Sequence, residues 1–254
     1  MYNFDFLNKY SPVPVYILDE IDSTNEEAKR MIKNGTNKDF VILAKKQTNG
    51  KGRKGRSFYS PKDTGIYYTY VHFSEEELKN DLKVTVASSV IASKAIKEAF
   101  ERECRIKWVN DLYFDNQKIS GTLCECLLKG SFENDKNAII VGIGINVSTS
   151  DFPEDISRKA GSICVENNPE AYDKTIILIT KGLSDFFKNL SLREYMDYYK
   201  SNSLVLNKYV ELSDANGVID KGIVKDFDED GSLILSNEKG DTKYDSGEIS
   251  LYML

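Results

Sequence analysis

Histidine is nearly missing from this chain: His72 stands alone among 254 residues. The four cysteines, Cys104, Cys124, Cys126 and Cys164, contain no C-x-x-C pair, and with one histidine to join them a zinc site is not expected. They are expected to be small, reduced core residues, with Cys124 and Cys126 two apart on one face of a strand. No apolar stretch approaches the roughly 18 residues that a membrane-spanning helix needs. The start, MYNFDFLNKYSPVPV, carries Asp5 and no cationic segment leading into an apolar run, which argues against a secretory signal. A soluble cytoplasmic protein is expected. Repeats and low-complexity tracts are absent. So is any excess of positive charge: the net charge of −6 argues against an extended track along a nucleic acid backbone.

Against that acidic background stands one positive island. Residues 45–62, KKQTNGKGRKGRSFYSPK, hold seven of the 34 basic side chains and no acid, leaving 27 cations against 40 carboxylates elsewhere. Gly50, Gly52 and Gly55 alternate with the cations, an arrangement that lets backbone amides and positive side chains close on an anion. The plain alternative is a solvated surface loop. GKGRKGRS approaches the G-x-x-x-x-G-K-[ST] phosphate loop, but Arg56 stands where lysine is required. The following FYSPKDTG starts no helix, so that mechanism is rejected. Phe58 and Tyr59 beside the cations leave base stacking open.

Periodicity predicts strands at 15–18, 40–44, 65–73, 105–108, 118–128 and 138–145. It predicts helices at 82–100, 175–190 and 193–200 after an irregular start. A further helix, in IDSTNEEAKRMIKNG, has Ser23 or Thr24 to cap it, Glu26 or Glu27 three residues on, and Gly35 to end it. Ser23-Thr24-Asn25 is read either as that cap or as a polar ligand edge. Asn110-Asp111 reads as a turn, and Lys118 as a lysine entering a strand. Gly142-Ile143-Gly144 lacks the third glycine and the helix of a dinucleotide fingerprint. From about residue 205 short strands and turns predict a small β-barrel that leans on the main domain.

DSTNEEAK, QTNGKGRKGRSFYSP, TGIYYTY, IKWVNDLY, QKISGTLCE, VGIGINV and GEISL stand in the order and approximate spacing of a biotin protein ligase. The resemblance runs from about residue 15 to the C-terminus. It implies an α+β fold: a mixed β-sheet flanked by helices, like class II aminoacyl-tRNA synthetase and biotin ligase catalytic domains, over residues 1–203. A small SH3-like β-barrel would follow over 204–254. It implies an ATP-dependent ligase that forms biotinyl-5′-AMP and passes the biotinyl group to a lysine of a biotin carboxyl carrier protein, such as that of acetyl-CoA carboxylase, with Mg²⁺ accompanying ATP.

Carried over by position, the resemblance places Ser23, Thr24, Asn25 and Gln47 around the biotin head. Lys51, Gly52 and Arg53 would close on the carboxylate and adenylate, and Lys118 would contact the carboxylate and α-phosphate as main electrostatic catalyst. Phe58 would stack on adenine, Asn110 and Asn146 would line the nucleotide site, and Asp111 would receive the acceptor lysine. Lys51 departs from a common arginine and Val109 from a common proline, and neither change removes a charge. The short lead before the pattern points to the form without a DNA-binding domain, and a homodimer is compatible with the resemblance. The rivals are a lipoate–protein ligase of the same fold and a non-enzymatic module that binds nucleic acid or a metabolite.

Overall fold

The computed structural model describes residues 2–76, 81–131, 135–164 and 168–251. Seven strands form one sheet: β1 (Val15–Leu18), β2 (Phe40–Ala44), β3 (Gly65–Ser74), β4 (Arg105–Lys107), β5 (Asp111–Phe114), β6 (Gln117–Leu127) and β7 (Asn137–Asn146). Their order is β1-β2-β3-β7-β6-β5-β4. Helix α2 (Thr24–Lys33) crosses between β1 and β2, which therefore run parallel, and every other neighbour is antiparallel. The sheet is mixed, as expected.

Both faces are covered, so the strands bury residues of both parities. Val41 and Leu43 of β2 face the large core beneath α3 (Asp81–Phe100) and α4 (Pro169–Asn189). Phe40 and Ile42 face a smaller core with Ala28 and Ile32, one turn apart on α2. That smaller core also takes Val71 and Phe73 of β3 and Ala138 and Ile140 of β7. Moving along β3 and β7 past the start of α2, the same face changes to Thr69, Tyr67, Gly142 and Gly144. Apolar cover ends there, and the cavity begins.

Four local expectations are corrected. The irregular start is a helix, α1 (Phe4–Tyr10), capped by Asn3, whose side chain accepts the Phe6 amide at 3.0 Å. It anchors itself through Leu7 alone, too little for a periodic signal. Helix α4 begins at Pro169 instead of 175, because Asn168 caps it and proline needs no amide partner at that position. Asp111 opens β5, cross-strand from Lys107, and only Asn110 lies in the turn. Among the cysteines, only Cys104 is a fully buried core residue, its thiol pushed up to about 12 by burial. Cys126 is exposed, since the helical layer does not cover that end of β6.

After α5 (Arg193–Ser201) come β8 (Tyr209–Asp214), β9 (Gly217–Phe227), β10 (Leu233–Asn237), β11 (Gly240–Tyr244) and β12 (Glu248–Leu251). They form an antiparallel sheet of order β11-β10-β9-β8-β12. Its inward residues, Val210, Leu212, Val224, Phe227, Leu233, Leu235 and Ile249, are continuous with the large core. The Trp108 indole N–H donates to the Gly231 carbonyl at 3.0 Å, and Tyr199 meets Phe227 edge-on at 5.1 Å. The small sheet thus rests directly on the β4–β5 hairpin. No helix among the described residues is long and apolar enough to cross a membrane.

Candidate active site

A cavity of about 180 Å³ opens between the start of α2, the glycine-rich segment, strands β3, β7, β6 and β5, and the beginning of β12. Eleven of the twelve residues nominated from the sequence line it: Ser23, Thr24, Asn25, Gln47, Lys51, Gly52, Arg53, Phe58, Asn110, Asp111 and Lys118. Asn146 does not. It is buried at the end of β7, where its amide nitrogen donates to the Gly161 carbonyl and its Oδ1 has no partner among the described residues.

The α2 end is built from neutral polar groups that hold one another. Gln47 Oε1 accepts from the Thr24 amide at 2.9 Å and the Thr24 hydroxyl at 3.1 Å, while Gln47 Nε2 donates to Ser60 Oγ at 2.9 Å. The Thr69 hydroxyl lies 2.8 Å from Thr24 Oγ1 and 2.7 Å from Asn25 Oδ1. Asn25 Nδ2 donates to Glu125 at 2.9 Å. Such mutual bonding satisfies buried polar atoms and fixes their direction. Ser23 occupies the N-cap position of α2, yet its hydroxyl makes no capping hydrogen bond. The capping box expected with Glu26 is not formed, because Glu26 is engaged elsewhere.

The two glycines of β7 explain why Asn25 and Phe58 sit where they do. A Cβ on Gly142 would lie 2.3 Å from Asn25 Oδ1, and one on Gly144 would lie 2.6 Å from the Phe58 ring. The Gly-x-Gly pair is thus a floor kept bare so that an amide and an aromatic ring can press against the strand.

The glycine-rich segment folds as a small flap. Lys51 bridges Ser57, the Gly52 amide donates to the Arg56 carbonyl at 2.7 Å, and the Phe58 amide donates to Gly50 at 2.8 Å. Lys54 adopts the left-handed conformation at the tip. Ion pairs strap this flap to both sides of the cavity. Lys51 Nζ contacts Glu26 of α2 at 2.7 Å, and Arg56 contacts Glu248 of β12 at 2.7 Å, with Lys54 at 3.9 Å from the same carboxylate. Glu26 also binds Lys29 at 2.8 Å, and hydrogen bonds first from Lys29 and then from Lys51 lower its pKa. Arg53 reaches inward, donating to Asn110 Oδ1 at 3.3 Å.

Opposite the neutral end, Lys118 Nζ lies 2.6 Å from Asp111 Oδ1. Lys107, half-buried on β4, also lines the cavity, and burial lowers its pKa. In all, six cations and two carboxylates face the space. An arrangement of neutral hydrogen-bonding groups at one end and excess positive charge at the other suits an elongated ligand with a polar head and an anionic tail. Two charged lining residues escaped the sequence reading. Lys107 was passed over as a neighbour of the tryptophan, and Glu248 lies in the GEISL segment without any local sign of its pairing with Arg56.

Comparison with known proteins gives one consistent answer. Residues 17–146 match the model of the biotin/lipoate A/B protein ligase family, and residues 205–252 match the biotin protein ligase C terminal domain. The chain is 27% identical over 243 residues to the bifunctional ligase/repressor BirA of Bacillus subtilis, covering 92% of this chain and 72% of that protein. It is 28% identical over 138 residues to the biotin–[acetyl-CoA-carboxylase] ligase of Paracoccus denitrificans, covering 52% of this chain and 54% of that one. The structure of biotin protein ligase from Aquifex aeolicus in complex with biotin and ATP superposes with a TM-score of 0.77 at 30% identity, covering 94% of this chain and 98% of that chain.

Proposed function

The chain belongs to the biotin/lipoate A/B protein ligase family, and from that premise we propose that it is an ATP-dependent biotin–protein ligase. It activates biotin as biotinyl-5′-AMP and transfers the biotinyl group to a lysine of a biotin carboxyl carrier domain. The observation that carries this reading is the division of the cavity into a neutral amide–hydroxyl end and a cationic end. A ureido head offers donors and acceptors to Ser23, Thr24, Asn25 and Gln47, and a carboxylate tail reaches Arg53 and Lys118. Lipoate has a disulfide ring in place of the urea and returns no such hydrogen bonds to the preformed polar wall, which disfavours it relative to biotin.

In the first step a biotin carboxylate oxygen bonds to the α-phosphorus while the bond to the bridging oxygen breaks, and pyrophosphate leaves with the electron pair. The reaction brings anions together, so fixed positive groups lower its barrier. Lys118 serves as the fixed cation on the sheet and Arg53 as the one on the flap. Phe58 offers a ring face to adenine, and Asn110 lines the same cavity. Lys51 and Gly52 close the flap over the adenylate. In the second step the acceptor amine bonds to the carbonyl carbon and AMP leaves. Asp111 orients that amine and takes its proton.

Mg²⁺ would arrive with the phosphates of ATP, supplying charge neutralisation and keeping several waters of its own. That mode suits a chain in which no cluster of three or more His, Cys, Asp or Glu residues stands ready among the described residues. Catalysis belongs to the unit that ends near residue 203, with the C-terminal sheet supplying Glu248 as an edge of the cavity. The test is to incubate the purified protein with ATP, biotin or lipoate, and a carrier domain. Biotin-dependent pyrophosphate release and a biotinylated carrier lysine are expected; labelling by lipoate alone, or salt-sensitive nucleic acid binding without pyrophosphate release, would overturn the reading.

A further inference from the structure

The cations around the cavity are not equally available. Lys51 is paired with Glu26, Lys54 and Arg56 with Glu248, and Lys118 with Asp111. Arg53 has no counter-ion but does have the Asn110 oxygen. Lys107 has neither: among the described residues its ammonium makes no ion pair and no hydrogen bond, and only the face of Tyr113, 5.8 Å away, is turned to it. Leaving a half-buried ammonium unpaired is costly, and burial here outweighs the fields of Asp111 and Glu248 and holds its pKa down. Natural folds keep such a group where an incoming ligand completes it.

Sheet order says which part of the ligand that is. From the neutral end at β3 and β7, the strands run outward through β6, which carries Lys118, and β5, to β4, which carries Lys107. A substrate whose head lies at Thr24 and Asn25 and whose carboxylate meets the α-phosphate at Lys118 points its remaining phosphates further out along this line. We propose that Lys107 is the docking point for the two terminal phosphates of ATP, the pair that departs as pyrophosphate. Resting on the ligase reading above, this gives Lys107 a catalytic role distinct from that of Lys118. As the bond between α-phosphorus and bridging oxygen breaks, the electron pair and charge pass to the pyrophosphate, and the ammonium meets that charge without transferring a proton.

The variant Lys107→Met keeps the length of the side chain and removes its charge. Expected is a fall in kcat/KM for ATP in biotin-dependent pyrophosphate release of roughly tenfold to a hundredfold, the size typical for losing a charge-assisted contact. Inhibition by added pyrophosphate should weaken by a similar factor. Biotin affinity without nucleotide and the thermal midpoint should not fall, because the charge removed had no partner, and Lys107→Arg should recover most of the loss. Wild-type ATP kinetics and pyrophosphate inhibition in Lys107→Met, or an equal loss of biotin affinity, would overturn the assignment. Should Lys107→Met fold poorly, Lys107→Gln is measured instead. Calorimetric binding of Mg²⁺-pyrophosphate to wild type and variant keeps the two readings separable. A wild-type protein that binds pyrophosphate through Lys107 yet releases none with biotin and ATP defeats the ligase reading alone, whereas equal binding by both proteins defeats the role of Lys107.

Discussion

At its α2 end the cavity is walled by neutral groups that hold one another in place; elsewhere it is walled by cations, most of them held in check by carboxylates, with Arg53 and Lys107 as the exceptions among the described residues. Thr24, Asn25, Gln47 and Thr69 are joined through bonds of 2.7–3.1 Å and need nothing from a ligand to stay put. Lys51, Lys54, Arg56 and Lys118 are each paired with a carboxylate that a phosphate can displace. The difference separates recognition from chemistry. On the proposed reading, a preformed neutral wall would set which molecule fits, with little dependence on salt, while exchangeable ion pairs would supply charge only when the nucleotide arrives.

Substitutions at each end should fail in different ways, and the largest effect belongs to the charged end. Lys118→Ala should slow biotin-dependent pyrophosphate release about a hundredfold or more, as when a preorganised donor to a developing anion is removed. Near-normal release would erase the contrast between the ends. At the neutral end, Gly142→Ala places a methyl 2.3 Å from Asn25 Oδ1 and must displace that amide. Biotin affinity should drop by roughly tenfold, the cost of one misplaced buried hydrogen-bonding group, with a much smaller effect on turnover at saturating biotin. A loss confined to turnover would reverse the assignment of the two ends.

Smaller effects sharpen the same contrast. Glu248→Gln releases Arg56 and Lys54 from a partly exposed carboxylate. Pairs of this kind contribute little, so adenylate retention, followed as biotinyl-AMP escaping into solution, should change about two- to fivefold, and more at low salt than at high. The smallest effect concerns Asp22, just before the neutral wall. Its hydrogen bond with Arg30 lowers its carboxyl from 3.8 to about 2, and its Oδ1 accepts the Ser23 amide at 2.7 Å. A depressed carboxylate stabilises the fold fully above its unfolded value and loses that contribution as pH falls through the folded one. The thermal midpoint of Asp22→Asn should therefore lie below wild type by a constant gap from pH 5 to 8, closing toward about pH 2; a gap that varies between pH 5 and 8 would contradict the pairing.

Much of this was legible in the chain. The apolar and aromatic runs FVILA and GIYYTYVHF and the spacing of Ala28 and Ile32 name the strands and the helix directly, because strands covered on both faces bury residues of both parities and a helix buries one stripe. The glycine–cation run and DSTN segment announced the two ends of the cavity through composition. Pairwise facts were hidden. Glu248 meets Arg56 across 192 residues, and whether Lys107 or Lys118 carries a counter-ion depends on where one carboxylate, Asp111, turns. Gly142 and Gly144 were judged against the wrong template. A glycine inside a strand also signals that something approaches closely, and here that something is a side chain from another element.

Trp108 carries a consequence of its own. It is the sole indole of the chain, 4% exposed, fastened to the Gly231 carbonyl, and it lines the cavity between Lys107 and Asn110. Its emission is therefore a label already installed at the seam where the two sheets meet. Light emitted at short wavelength reports a seated C-terminal sheet, and a red shift reports water entering the joint, so events at that seam can be timed by stopped flow on the unmodified protein.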